Sequence, residues 1–407
     1  MSASDTHFND TEKEQLERIT QSAENGDEDA MFVLGKAYLF GEHNVPQDPE
    51  KAIFWLTKAA KNDLVIAQRF LGIAYLYGKS VVEQDFKKAL HYLKMGEKHL
   101  DDHCRYYLGM YYEGAGGNPN VDMKKALEYH TKLAEFGFQI AQNHLGDLYY
   151  DNIKLPRDYQ KAKYWYERAI NEHDTPNANA CNSLGWMYLE GKGVEKDYRK
   201  ALELFLKAEE FDQPDAIGNL GYIYEYGFGV EIDLDKAIAY YKRGIALGNL
   251  TSINNYASMF YNGTIVEQNY DTAFRMYKYA AERGYAKSQY NLGICYDHGH
   301  GTALDPVKAA YWYEQSALQE DADGAVNAGY CYQVGQGVPI DMKKAFKYFT
   351  ISAEQGNRTA MFNLAYFYNE GIECEADYEK CRELLREAAR LGDEDAIRNC
   401  KKNNIEF

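Results

Sequence analysis

Several groups of residues in this sequence are of types that could do chemistry. Gly-x-Gly pairs stand at Gly191 and Gly193, Gly227 and Gly229, Gly299 and Gly301, and Gly335 and Gly337. Such loops cradle phosphates when a strand precedes them and a helix N-terminus follows. Here each pair follows a helical pattern and returns at regular intervals, so it reads as a turn in which glycine supplies the positive φ of a helix C-terminus. Cys295, His298 and His300 are metal-ligand types at close spacing, but no fourth ligand accompanies them. Cys331 also repeats the position of Cys295 one period later, as a core residue would. His99, Asp101, Asp102, His103 and Cys104 form a second cluster of the same kind, explained by the polar ends of two helices. Cys374 and Cys381 fall in a loop and at a core position. No Ser-His-Asp set can be assigned. The expectation is a chain with no catalytic residue, no metal and no cofactor.

The elements that carry these residues follow one repeated pattern. The box Leu-Gly-x-x-Tyr stands at Leu220, Gly221 and Tyr224, and its Leu-Gly recurs at Leu34, Leu71, Leu108, Leu145, Leu184 and Leu292. With degenerate copies at Tyr256-Ala257, Ala328-Gly329 and Leu364-Ala365, the steps are roughly 36 to 39 residues, the signature of a solenoid. The pentapeptide Gly26–Ala30 returns at Gly392–Ala396, 366 residues later, which is ten periods. Each period holds two helical patterns. The first places Ala216, Leu220 and Tyr224 on one face at i, i+4 and i+8. Gly221 beside Leu220 lets the partner helix approach. The second begins at an Asp that caps free N–H groups: Asp122, Asp158, Asp197, Asp233, Asp305, Asp341 and Asp377. It then presents a small–large–small seam, as in Ala237, Tyr241 and Gly244. The expected organisation is a disordered leader over 1–10 and a capping helix over 11–25. Ten repeats follow over about 27–391, then a capping helix over 393–402 and a tail over 403–407, with 11–400 forming a single array.

Bulk properties narrow the function. The 407 residues carry 45 Lys+Arg against 62 Asp+Glu, a formal net charge of -17. That balance argues against nucleic acid or an anionic membrane as the main partner. No stretch has the apolar length of a membrane span, and residues 1–11 lack the features of a secretory signal. Seven cysteines at irregular spacing do not form a disulfide framework, and the expected location is the reducing cytoplasm.

The pattern resembles the Sel-one-like repeat (SLR), a relative of the tetratricopeptide repeat. In the sixth repeat the matching residues are Leu220, Gly221, Tyr224, Gly227, Gly229, Val230, Asp233, Lys236, Ala237 and Tyr241. The resemblance implies an all-α fold, a right-handed α-α superhelix of about ten helix pairs with half-repeat caps at both ends. It also implies an adaptor that assembles other proteins. Some relatives carry a disulfide between neighbouring helices, but the matching positions here hold residues such as Ala59 and Ala67.

In related tetratricopeptide arrays the first helix lines the concave surface, through the positions two before the box Leu and two, five and six after it. Carried over, these positions give a protein- or peptide-binding face of Tyr106, Asn143, Asp147, Tyr150, Asn182, Trp186, Glu190, Tyr222, Glu225, Tyr226, Asn254, Tyr261, Tyr290, Asp297, Tyr330 and Tyr366. Phe32, Phe40, Tyr77, Asn262, Phe362, Asn369 and Glu370 extend it. Aromatic residues give large contact area at low entropic cost. The competing account is that tyrosine, present 37 times, simply packs between helices. The functional expectation is a non-catalytic scaffold that holds a polar or basic protein segment in this groove. The alternative is an immunity- or inhibitor-type protein that blocks a toxin or an enzyme.

Overall fold

The computed structural model describes residues 3–78, 82–151 and 155–407, which hold twenty-two α-helices and no strand. The chain is described as two compact units, Met1–Asp197 and Tyr198–Phe407. In a solenoid each repeat touches only its neighbours, so a cut anywhere crosses few contacts. The first unit holds α1 (Ala3–Glu24), α2 (Glu28–Phe40), α3 (Pro49–Lys61), α4 (Val65–Tyr77), α5 (Phe86–Lys98), α6 (Asp102–Glu113), α7 (Met123–Glu135), α8 (Gln139–Tyr150), α9 (Tyr159–Asn171) and α10 (Ala178–Glu190). The second holds α11 (Tyr198–Glu209), α12 (Pro214–Tyr226), α13 (Leu234–Ala246), α14 (Leu250–Asn262), α15 (Tyr270–Ala281), α16 (Ala286–His298), α17 (Pro306–Ala317), α18 (Ala322–Val334), α19 (Met342–Glu354), α20 (Arg358–Glu370), α21 (Tyr378–Arg390) and α22 (Glu394–Lys402). In the first unit α2 pairs with α3, α4 with α5, α6 with α7 and α8 with α9; in the second, α12 pairs with α13 and so on to α20 with α21, while α1 precedes and α22 follows the pairs.

One boundary differs from expectation. Helix α1 begins at Ala3 rather than Thr11, so the leader expected to be disordered is helical from Ala3 on; Met1 and Ser2 lie outside the described residues. Once a helix is nucleated, each further residue adds a hydrogen bond for one residue fixed, and no glycine or proline stops it there.

Within a pair, the box residues turn toward the second helix. Leu220 is fully buried, and a Cβ placed on Gly221 would lie 2.6 Å from the Tyr241 ring. Glycine at this position is a condition of the helix–helix distance. The Asp-x-x-Lys motif does two jobs. Asp233 Oδ1 accepts from the Lys236 backbone N–H at 2.9 Å, closing the start of α13. The Lys236 ammonium then lies 4.0 Å from the centroid of the Tyr224 ring. The same pairing recurs for Lys88 over Tyr75 and Lys344 over Tyr332. Cation–π attraction thus ties the start of the second helix to the box tyrosine of the first.

The Gly-x-Gly loops are turns. Gly335 caps α18 at φ +78, and its N–H donates to the Cys331 carbonyl at 2.9 Å. Gly337, at φ +72, packs so tightly on the Pro306 carbonyl that a side chain there would collide with it. The second glycine thus seats each loop on the preceding second helix, and no phosphate cradle forms.

Candidate functional site

The even-numbered helices are the first helices of the repeats, and neighbouring ones touch: α4 with α6, α8 with α10, α12 with α14 and α16 with α18. Side chains that face away from the partner helices therefore share one surface in each unit. The floor of that surface is made by the second helices. Where the large residue of the seam is a tyrosine it passes beneath the first helix, and in three repeats its hydroxyl reaches a polar residue there. Tyr166 Oη donates to Asp147 Oδ1 at 2.7 Å, Tyr241 Oη donates to Glu225 Oε2 at 2.6 Å, and Tyr277 Oη lies 2.9 Å from Ser258 Oγ. Fully buried tyrosines thus hold surface carboxylates in fixed positions.

The environment of these carboxylates raises their proton affinity. Desolvation pushes the Asp147 carboxyl above its usual range, against the hydrogen bonds from Tyr166 and Asn143. It does the same to Glu225, against the bond from Tyr241. Asp147 is nonetheless open to solvent, so protein crowds the carboxyl without covering it. A cationic group docking there would replace the hydration these carboxylates have lost.

In the second unit the expected aromatics gather. The Tyr222 and Tyr226 rings lie 4.8 Å apart, and Phe228 packs 5.5 and 5.9 Å from them. Glu225 sits beside them, and Tyr226 is 54% exposed. Tyr330 and Tyr366 are likewise about half exposed, at 49% and 50%. Tyr366 lines a cleft of 650 Å³ with Phe362, Asn369, Arg382 and Ile405 of the C-terminal end. Tyr290 is half-buried, its ring 6.1 Å from Tyr313. Asp297 accepts from Gln336 Nε2 at 2.6 Å, and Tyr261 Oη bonds His300 Nδ1 at 2.8 Å. Asn254 departs from its expected role. It is buried, and its Oδ1 already accepts from Ser288 and Asn291 of the next repeat, both at 2.9 Å. It joins α14 to α16 and offers no free surface to a ligand.

In the first unit Asn143 Nδ2 donates to Asp147 Oδ2 at 3.0 Å. The Tyr150 ring packs 5.5 Å from Tyr159, with Lys192 above it. Asn182 and Trp186 are half-buried, and Glu190 at the end of α10 is exposed. Tyr106 packs edge-on against His130 and His144, at 5.3 and 5.7 Å between centroids.

The two histidine–cysteine clusters named from the sequence do not assemble. His300 stacks on Tyr270 at 4.2 Å while Cys295 is buried, its thiol pushed up to about 12 by desolvation. Asp101 caps α6 by accepting from Cys104 N and pairs with Arg69 at 3.6 Å. The structure instead joins three residues that sequence reasoning passed over: Glu113, His130 and His144. His130 was hidden because it occupies the large core position of its seam, where Tyr166 and Tyr241 stand in other repeats. Glu113 sits five residues after the box Leu108, a position already expected to face the groove, and was open to discovery there. Phe228, in the turn after α12, was also missed.

Paired helices repeated along the chain, with side chains of the first helices on a shared surface, define an α-helical repeat solenoid. The Sel1 repeat matches residues 28–64, 65–97, 103–137, 139–174, 178–210, 214–249, 251–285, 286–321, 322–357 and 359–393, and the chain belongs to the Sel1 repeat family. Proteins of this family are in general protein-interaction scaffolds. Among solved structures the chain is similar to a protective antigen of uropathogenic Escherichia coli with an SLR fold. The identity is 29% over 94% of this chain and 80% of that one, with a TM-score of 0.51. It is also similar to a Sel1 repeat protein from Oxalobacter formigenes, at 27% identity over 62% of this chain and 99% of that one, with a TM-score of 0.50. A curated relative is the ERAD-associated E3 ubiquitin-protein ligase component HRD3B of Arabidopsis thaliana, 36% identical over 83 residues. That match covers 20% of this chain and spans only 12% of the plant protein. No described helix is long and apolar enough to cross a membrane.

Proposed function

We propose that this chain is a non-catalytic adaptor that holds a polar or basic protein segment along the row of first helices, and so assembles or regulates a complex. The observation that carries this reading is the cluster of Tyr222, Tyr226 and Phe228 around Glu225. Rigid aromatic area lies there beside a carboxylate that has lost part of its hydration and gains from a cation. The partly exposed Tyr330 and Tyr366 continue the same surface chemistry in later repeats. HRD3B, by its description a component of an E3 ubiquitin-protein ligase, is consistent with an assembling role. The seven cysteines are all free and six of them are buried, which supports a reducing compartment such as the cytoplasm. Thiol labelling in intact cells would refute that location by finding those cysteines oxidised.

The test of the binding reading is a selection of peptides against the full chain from a random-sequence display library. The selected peptides are expected to be enriched in Lys and Arg. Their affinity is expected to fall by about tenfold or more in the Tyr222→Ala/Tyr226→Ala double variant, since central aromatic anchors each contribute upward of about 1–2 kcal/mol. Acidic or purely apolar selected peptides would count against the proposed partner chemistry.

A further inference from the structure

We propose that Glu113, His130 and His144 form a binding site for one divalent transition-metal ion of the zinc class. The three residues come from α6, α7 and α8, helices of two consecutive repeats in the first unit, so their meeting is a product of the stack. His130 Nε2 lies 2.7 Å and His144 Nε2 2.8 Å from Glu113 Oε1. All three ligand atoms lie within 4.8 Å of one another. Two imidazole nitrogens and one carboxylate oxygen are the donor set that zinc takes in open three-ligand sites.

A second observation singles out His130. It is fully buried, at the seam position where Tyr166, Tyr241 and Tyr277 stand in other repeats and send a hydroxyl to the first helix. Those tyrosines reach a partner; His130 does not make an aligned bond. Its Nε2 contact with Glu113 lies off the N–H axis, and neither ring nitrogen has a hydrogen-bond partner among the described residues. A buried polar ring left in that state is costly, and a metal bound to Nε2 relieves the cost.

Ligand atoms around a tetrahedral zinc stand roughly 3.3–3.5 Å apart, given bonds of about 2.0–2.2 Å. The Glu113 carboxylate must therefore withdraw by roughly half an ångström. Glu113 is the last residue of its helix, followed by Gly114 at φ +94, where the chain leaves the helix. His144 and Glu113 keep 18% and 13% of their side-chain surface, which leaves the fourth position to water. The Tyr106 ring closes one side of both imidazoles. His130 Nδ1 lacks an outer-shell acceptor, and such partners raise affinity by roughly 10–100-fold, so micromolar binding is expected rather than the tightest class.

The test uses the full chain, free of any affinity tag and stripped with chelator. Calorimetric titration with Zn²⁺ is expected to give one ion per chain, and Co²⁺ to give the visible absorption of a tetrahedral site. Losing an outer-shell partner already costs roughly 10–100-fold in affinity, so His144→Ala and Glu113→Gln are each expected to lose about 100-fold or more. His130→Tyr installs the residue found at this position in several other repeats, such as Tyr166 and Tyr241; it is expected to keep the helical circular-dichroism spectrum and abolish the Co²⁺ bands. Zn²⁺ is expected to raise the melting temperature of the wild type alone. Absence of stoichiometric Zn²⁺ binding at micromolar concentration overturns the proposal. So does unchanged binding in both His144→Ala and Glu113→Gln, which would place the ion elsewhere. The outcome is independent of whether the first-helix row binds a peptide.

Discussion

Glu113 shows how strongly a repeat can specialise one residue. Burial alone would raise its pKa, but the imidazoles of His130 and His144, 2.7 and 2.8 Å from its Oε1, hold it at about 2, below the usual 4.5. A carboxylate depressed in the folded state contributes stability that is present above its unfolded pKa and lost as pH falls through its folded pKa. With a chelator present, the wild type is expected to lose on the order of 1–3 kcal/mol through this group between about pH 4.5 and pH 2. Glu113→Gln should lack that part of the acid transition. Denaturant unfolding of both proteins across that pH range checks it, and parallel curves would contradict it. Asp147 and Glu225 behave oppositely, because desolvation raises both. A basic peptide on this surface should therefore begin to dissociate at higher pH than an ordinary surface carboxylate would allow, and affinity measured from pH 7 downward reports it.

Among elements, the helix pair was almost wholly legible. Leu220, Gly221 and Tyr224 sit at helical spacing, and the structure buries all three against the partner helix. The capping Asp residues were legible because their chemistry is local: Asp122, Asp158, Asp233, Asp305, Asp341 and Asp377 each accept from the N–H three residues on. Two substitutions test this level. Leu220→Ala is expected to cost about 2–5 kcal/mol by leaving a cavity, and an unshifted melt would refute the register. Gly337→Ala is expected to cost more than about 1 kcal/mol, through its left-handed φ and the Pro306 carbonyl against it. What sequence did not reveal was contact between repeats. His130 looks like one more large seam residue, and Asn254 like one more groove amide. Only the packing shows that the first faces Glu113 and His144 and the second is spent on Ser288 and Asn291. Periodicity fixes which face a residue takes; the neighbour across the interface depends on side chains roughly 30–40 positions away, one repeat on.

At the scale of the whole molecule, the chain is a set of Sel1 repeats, and the proposed function places recognition in the residues that vary on their first helices. The formal charge of -17 favours a cationic partner at long range, so binding should weaken and association slow as ionic strength rises. Near-constant affinity from low to high salt would point to an apolar partner instead. The central claim is that the aromatic and acidic residues of the first-helix row hold a protein segment. Its most direct test is calorimetric affinity for a display-selected basic peptide, measured with the wild type and with Tyr222→Ala/Tyr226→Ala at equal helicity. The account predicts a loss of about tenfold or more. Equal affinity for the two proteins would contradict it.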